Sequence, residues 1–511
     1  MNRLIAVAVT AVMLSSAADL YREPYRPQYH FSPERNWTND PCGIVYANGE
    51  YHLFFQFNPL GDLWGHMSWG HAVSRDLLRW NQLPVAIPEG GDAMIFTGSS
   101  VTDTHNTSGL CNPGTSCIVS IYTGHTPKTD ARPQRQAQFL AASQDGRTWV
   151  KYTGNPVLDL SMTDFRDPKV FWHEPSKQWV MIAVLPLQKK ATLYGSADLK
   201  HWKHLSDFGP AGAVGGVWEC PDLYELPVEG AGQKSRWVLK IGLNPGHIAG
   251  GSGEQYFVGQ FDGTQFQNGS PAADTKWLDY GRDCYCALTW NGENDRQGRH
   301  MIGWMNNWQY ARATPTSPWR GAMTLPRTLA LRDSASGIHI VQTPIPALHD
   351  LRAEEFTFGG NQPADLNRKL AQWKSRGQTY ELDATIRLGS AKRVAWKLLE
   401  GHDDFVLLVY DAVAKELIVD RTRSGKTDFS PSFPSRTVAP MDSGNGPLKL
   451  HVFVDRSSVE VFADEGQEVL TNLVFPKPES TGISLQVEGG QVKGLQVRLW
   501  NLRSTWKSAR E

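Results

Sequence analysis

Hydrophobic residues in this 511-residue chain fall in short runs or alternate, and they almost never recur at helical spacing. YHLFFQF (51–57), CIVSIYTG (117–124), KVFWH (169–173), QWVMIAVLP (178–186), SRWVLKIGL (235–243) and HMIGWM (300–305) are aromatic or β-branched runs bounded by turn residues. Runs of this length between Gly, Asn, Asp and Pro predict strands, and hence an all-β first domain. After about residue 340 the texture changes to alternation in TYELDATIRL (379–388), DFVLLVYD (404–411), LKLHVFVD (448–455), SVEVFAD (458–464) and GISLQVEGG (482–490). A period of two, interrupted by turns at this spacing, predicts a β-sandwich.

A weak repeat runs through the first domain. SRDLLRW (74–80), SQDGRTW (143–149) and SADLKHW (196–202) share Ser-x-Asp and a Trp six residues after the Ser, and QFDGTQF (260–266) is a looser copy. Start-to-start spacings of 69, 53 and 64 residues fit one four-stranded sheet plus loops. Repetition on that scale predicts a propeller, with each Ser-x-Asp turn closing a hairpin and each Trp packing between blades. The expected organisation is a signal peptide at 1–18, a propeller at 19–340, a linker at 341–352 containing TPIPALHDLR, and a sandwich at 353–511.

Composition narrows the function. Lys+Arg 51 against Asp+Glu 52 leaves a formal charge of −1, which disfavours nucleic acid or an anionic membrane as partner and suits a neutral ligand. The 19 Trp supply flat faces for sugar rings as well as core volume. At the N-terminus, Arg3, the apolar run Leu4–Leu14 and Ser15–Ala18 have the order of an export signal, so a secreted or periplasmic location is expected. Six cysteines are too few to staple a chain of this size. Cys111 and Cys117 bracket a turn-rich loop that admits a local bridge, and Cys284 and Cys286 stand too close for a zinc knuckle. No metal-ligand cluster, dinucleotide fingerprint or phosphate loop is present, so neither metal nor cofactor is expected. The sequence leaves the oligomeric state open.

Three carboxylates stand out. Asp40 lies in WTNDPCG, Asp167 in FRDPKVFW and Glu219 in VWECPDL, each near a Pro and within three residues of a Trp or Phe. Asp before Pro is an ordinary turn initiator, and each acid alone reads as a turn or salt bridge. Three similar contexts, 127 and 52 residues apart, point instead to one acid on each of three blades meeting at the channel mouth. Two close carboxylates, one ionised and one protonated, are the minimum equipment for cleaving a glycosidic bond.

WTNDPCG, FFQFNP, FTGS, FRDP and WECPDL, in that order, resemble the motifs of glycoside hydrolase family 32, the β-fructofuranosidases, and VDRSSVEVFADEGQ (454–467) resembles that family's sandwich motif. The likeness spans the mature chain and implies a five-bladed propeller followed by a β-sandwich. It also implies Asp40 as nucleophile, Glu219 as acid and then base, and Asp167 with Arg166 holding fructose hydroxyls. Asn39 and Gln56 would contact further hydroxyls, and Trp64, Phe96 and Thr97 would line the pocket. His71 in WGHA reads as structural. Thr38 and Cys42 depart from the family's usual apolar residue and Asn. Cys42 and Cys220, each beside a proposed catalytic acid, are either small buried fillers or a pair.

The segments 250–263, 278–290, 303–311 and 317–327 look more like levanases and exo-inulinases than plant invertases. The implied activity is exo-acting, retaining release of fructose from fructans and sucrose. Two rivals stay open: an inverting furanosidase of the related propeller clan, acting on arabinan, and a non-catalytic fructan-binding protein. A transfructosylase is a milder variant of the first reading.

Overall fold

The computed structural model describes residues 20–506 except 92, 131, 231–233, 294–297, 335–336 and 374–376; the expected signal peptide lies outside the described residues. Among the described residues the strands form seven sheets, five around one channel and two face to face. Each of the six runs quoted first above becomes a strand.

The five blades are antiparallel, and each begins at the channel and works outward. Their inner strands are Asn36–Ala47, Met94–Asp103, Arg166–His173, Val217–Pro227 and Tyr285–Thr289. The ring closes where Trp319–Arg320 pairs in parallel with Asn36–Trp37, and where Tyr46 N–H donates to the Asn291 carbonyl at 2.8 Å. Asn291 also crosses the channel, its Nδ2 donating to the carbonyls of Ser100 (2.8 Å) and Val170 (2.9 Å) and so tying blades two, three and five.

The Ser-x-Asp repeat is structural, as expected. In each of four blades the Asp carboxylate accepts backbone N–H groups two and three residues on: Asp76 from Leu78 and Arg79, Asp145 from Arg147 and Thr148, Asp198 from Lys200 and His201, Asp262 from Thr264 and Gln265. Such Asx turns fix the hairpin that leads to the outer strand. The following aromatic packs between blades: Trp80 faces Trp290 of blade five, and Trp149 meets Phe54 of blade one edge-on at 5.2 Å.

The fifth blade's outer strand, Gly337–Pro344, runs four residues into the segment read as linker, because GIHIVQT continues the alternation up to the prolines. A short 3-10 turn, Pro346–Leu351, leads into the sandwich strand Arg352–Gly360. The sandwich stacks a six-stranded on a five-stranded sheet over a core that includes Leu382, Trp396, Val452 and Leu499. One helix, Pro363–Gln372, covers it with Leu366 and Leu370, spaced i, i+4.

The two domains share a core in which Phe31, Phe55, Ile302 and Leu348 pack with Phe453, Phe462 and Leu502. Buried charges cross the same seam. Arg327 of the propeller donates to Glu460 (2.7 Å) and Thr471 (2.6 Å) of the sandwich, and Arg421 of the sandwich reaches Asp283 (2.5 Å) and the Tyr310 hydroxyl (2.7 Å).

Candidate active site

The inner strands do not run smoothly into the channel mouth. Each breaks register with its neighbour, between Thr38 and Pro41, Ile95 and Gly98, Arg166 and Lys169, Glu219 and Asp222, and Tyr285 and Leu288. The extra residues form bulges, and bulges re-aim side chains. Asp167, Cys220 and Cys286 hold positive φ at the same place in blades three, four and five. In blade one the register slips again, and Gly43 takes φ +59° there, where a Cβ would lie 2.4 Å from the Trp69 ring. Only glycine fits that turn.

The bulges surround a cavity of about 420 Å³ lined by all nine residues singled out from sequence: Asn39, Asp40, Gln56, Trp64, Phe96, Thr97, Arg166, Asp167 and Glu219. Asp40 is buried in its lining. Thr97 Oγ1 donates to Asp40 Oδ2 at 2.9 Å, while Oδ1 is buried without a protein partner. Trp37 Nε1 donates to Asn39 Oδ1 at 2.7 Å, which fixes that amide. Trp64 and Phe96 stand half-buried, edge to face at 6.1 Å, and Phe96 stacks on His125 at 4.4 Å.

Arg166 organises the opposite wall. Its guanidinium donates to Asp164 (3.0 Å), Gln136 (3.2 Å) and Glu219 Oε1 (3.1 Å), and lies 4.0 Å from Asp167. Asp167 Oδ2 accepts the Cys220 N–H at 2.9 Å, so the acid of blade three is held by the backbone of blade four. Glu219 Oε2 accepts the Tyr285 hydroxyl from blade five.

Burial, the Asp167 charge and then the Glu219 charge push Asp40 up to about 7, against the partial relief given by Asn39 and Thr97. Burial likewise pushes Asp167 up to about 6, opposed by Arg166. Asp40 and Asp167 are therefore coupled, and the pair retains a proton towards neutrality. Burial beside Arg166 lowers His125, which stays neutral and packs as an aromatic face.

Several lining residues carried no sequence signal. Gln134, Gln136 and His125 come from the second and third strands of blade two, or the loop between them, and belong to no motif. Tyr285, Trp308 and Arg312 lie in or beside segments recognised only as a whole, and Asp164 precedes FRDP by one residue. His71 is outside the pocket, buried against Phe54 at 4.2 Å, as a structural histidine would be.

The cysteines resolve the open alternatives. Cys111 and Cys117 form the local bridge. Cys220 bonds Cys286, not Cys42, because the two bulges of blades four and five face each other. Cys42 stays a buried thiol, with Gln56 Nε2 3.9 Å away. Among the described residues, the one grouping with metal-ligand proximity is Asp40 with Cys220 and Cys286, and those two sulfurs are already bonded to each other.

Three carboxylates and a guanidinium at the base of an aromatic-walled pocket, on a propeller backed by a sandwich, define a glycoside-cleaving enzyme. Residues 30–344 match the N-terminal domain model of glycosyl hydrolases family 32, and residues 348–501 match the family's C-terminal model. The chain belongs to glycosyl hydrolase family 32. A levanase from Bacillus subtilis (strain 168) is 44% identical, the alignment covering 99% of this chain and 76% of that protein. An extracellular exo-inulinase from Aspergillus ficuum is 40% identical, with 99% and 100% covered. Among solved structures, exo-inulinase from Aspergillus awamori superposes with TM-score 0.87 at 38% identity, over 95% of this chain and 100% of that one. A β-fructofuranosidase from Schwanniomyces occidentalis complexed with fructosyl-erythritol gives 0.84 at 30%, over 97% and 100%.

Proposed function

We propose that this enzyme is an exo-acting, retaining β-fructofuranosidase that releases terminal fructose from levan or inulin and also cleaves sucrose. One observation carries the reading: Asp40, Asp167 and Glu219, carboxylates of three different blades, line one pocket together with Arg166. Asp40, held by Thr97, would attack the anomeric carbon of a terminal sugar. Glu219, with its side chain 20% exposed, is the acid that would face the leaving oxygen. It would protonate that oxygen, then take a proton from the water that releases fructose. Asp167 and Arg166 would hold ring hydroxyls, and hydrogen bonds that tighten as charge develops on the sugar lower the barrier. Asn39 and Gln56 would contact further hydroxyls, with Trp64 and Phe96 as the apolar wall.

The raised Asp40 carboxyl fits this order of events. It must lose its proton to attack, so the acid limb of activity belongs to Asp40 and its neighbour Asp167. The N-terminal 18 residues would direct export, in keeping with relatives named extracellular. No helix of the described residues is long and apolar enough to cross a membrane.

The test is a time-resolved product profile on levan, inulin and sucrose, with NMR of the first-formed anomer. Fructose alone, released with β configuration, is expected. Early oligosaccharides would refute exo action, and the inverted anomer would favour the arabinan-type rival mechanism. Absence of product from all three substrates would return the binding-module reading.

A further inference from the structure

The seam between blades four and five is tied at three levels. Two side-chain bonds join its inner strands directly, and a buried ion pair of blade four relays a third connection beneath them. At the rim the Tyr285 hydroxyl donates to Glu219. One residue on in each strand, Cys220 and Cys286 form a disulfide with Cα atoms 5.3 Å apart. Beneath it a buried pair, Lys240 and Glu254 at 3.1 Å, grips the same two strands. Lys240 donates to the Cys220 carbonyl at 2.6 Å, and Glu254 accepts the Ala287 N–H at 3.1 Å. All of these groups except the Glu219 carboxylate are buried.

The ties converge on one side chain. Cys220 follows Glu219 directly, Cys286 follows Tyr285 directly, and both cysteines occupy positive-φ bulge positions. The Cys220 sulfur also rests 3.9 Å from Asp40 Oδ2, and the Cys220 N–H holds Asp167. We infer that Tyr285 and the Cys220–Cys286 bridge are positioning residues for Glu219: the bridge fixes the spacing of the two strands, and Tyr285 holds the carboxylate at the angle needed for proton transfer. This rests on the role proposed above for Glu219.

A glutamate on a bulge at a channel rim has three rotatable bonds and one fixed neighbour, Arg166. Arg166 alone leaves the second oxygen free to swing, whereas a second donor on the opposite oxygen defines the carboxylate plane. Tyr285 can hold that place only if its strand keeps a fixed distance from the Glu219 strand. Burial beside Glu219 keeps the Tyr285 phenol protonated, so it stays a donor across the working pH range.

The test compares sucrose with a nitrophenyl β-fructofuranoside, whose leaving group departs without a proton. The value kcat/KM reports steps only through cleavage, so it isolates acid assistance from the later base step. For Tyr285→Phe and for Cys220→Ala/Cys286→Ala, kcat/KM on sucrose is expected to fall about tenfold, a fraction of the 10²–10⁴ that general acid catalysis supplies. On the aryl substrate the fall should stay under about twofold, since no acid assistance is lost there. Adding Tyr285→Phe to the bridge-less variant should change little further, since both act through one contact. Equal losses on the two substrates, or none in a folded variant, would overturn the inference. Wild-type enzyme treated with dithiothreitol and alkylated gives the same comparison if the double variant does not fold. Glu219→Gln, run alongside, separates the two claims. If it shows no leaving-group split, the role of Glu219 fails and this inference with it. If it shows the split and the other variants do not, only the positioning claim fails.

Discussion

Replacing Asp40 with Asn should stabilise the protein while abolishing its activity, and the stabilisation should depend on pH. The Asp40 carboxyl is raised from 3.8 to about 7 by burial and by the Asp167 and Glu219 charges. Between those two values the folded protein binds a proton that the unfolded chain releases. Stability therefore falls as pH rises through that window and is lowest above about 7. At about 1.4 kcal/mol per unit, a shift of roughly three units costs at most about 4 kcal/mol. Asn is uncharged throughout and avoids that cost. For 511 residues an unfolding entropy near 2 cal/mol/K per residue makes 1 kcal/mol worth roughly 1 °C, provided the domains unfold together as their shared core requires. Scanning calorimetry should then show the Asp40→Asn melting temperature gaining about 2–4 °C on wild type between pH 4.5 and pH 8. An offset that stays constant across that range would refute the claim that the Asp40 carboxylate is held against its own solvation. On its proposed role as nucleophile, activity on sucrose should fall by roughly 10⁴ or more.

Other expectations address the frame around the site. Burial alone would depress His30, but its hydrogen bonds to Asp455 and Glu460 outweigh that and hold it up to about 9. Its contribution is therefore complete below about 6.5 and lost as pH rises towards 9; His30→Gln should flatten the decline in melting temperature over that interval. Arg421→Ala removes the sandwich's hold on Asp283 and Tyr310, leaving a buried charge unpaired at a cost of about 3–5 kcal/mol by denaturant titration. Because Tyr310 lies between Trp308 and Arg312 of the pocket wall, KM for sucrose should rise as well. Gly43→Ala forces a Cβ into Trp69 at φ +59°, and should cost more than about 1 kcal/mol and lower kcat by displacing Asp40.

The parts of this protein that could be read in advance are those whose physics is local. Aromatic runs between turn residues became strands because pleated, half-buried surfaces select those side chains, and the Ser-x-Asp turns became hairpins because the aspartate bonds its own backbone. The nine residues that line the pocket came from the resemblance to the family's motifs, Asp40, Asp167 and Glu219 being marked as well by the Pro and aromatic neighbours they share. Gln136 and His125 went unseen because they reach the pocket from later strands of blade two, with no local pattern to mark them. The Cys220–Cys286 pairing was hidden for the same reason: two cysteines 66 residues apart meet only because neighbouring blades bulge towards one another. Tyr285 is the sharpest case. Its sequence neighbours gave it away as part of a segment, but its task is set by a carboxylate on another blade.

The bulges also explain why the motifs look as they do. In a regular strand consecutive residues face opposite sides of the sheet, so Asn39 and Asp40, Phe96 and Thr97, or Arg166 and Asp167 could not both address the channel. All six line the same cavity. A bulge places two residues opposite one and breaks the alternation at that point, which turns an adjacent pair inward together. Five strands doing this at one height give a small channel mouth more functional side chains than the five that regular strands would offer there. The cost is visible in the non-glycine residues at positive φ, Asp167, Cys220 and Cys286, each a conformation worth about 1–3 kcal/mol of strain. Bonds across the seams offset it: Cys220 N–H to Asp167, the Cys220–Cys286 bridge, and the Lys240–Glu254 pair below. The dipeptides read in the sequence are thus the imprint of a broken strand, and the charged pairs buried behind them are what keeps it broken in one place.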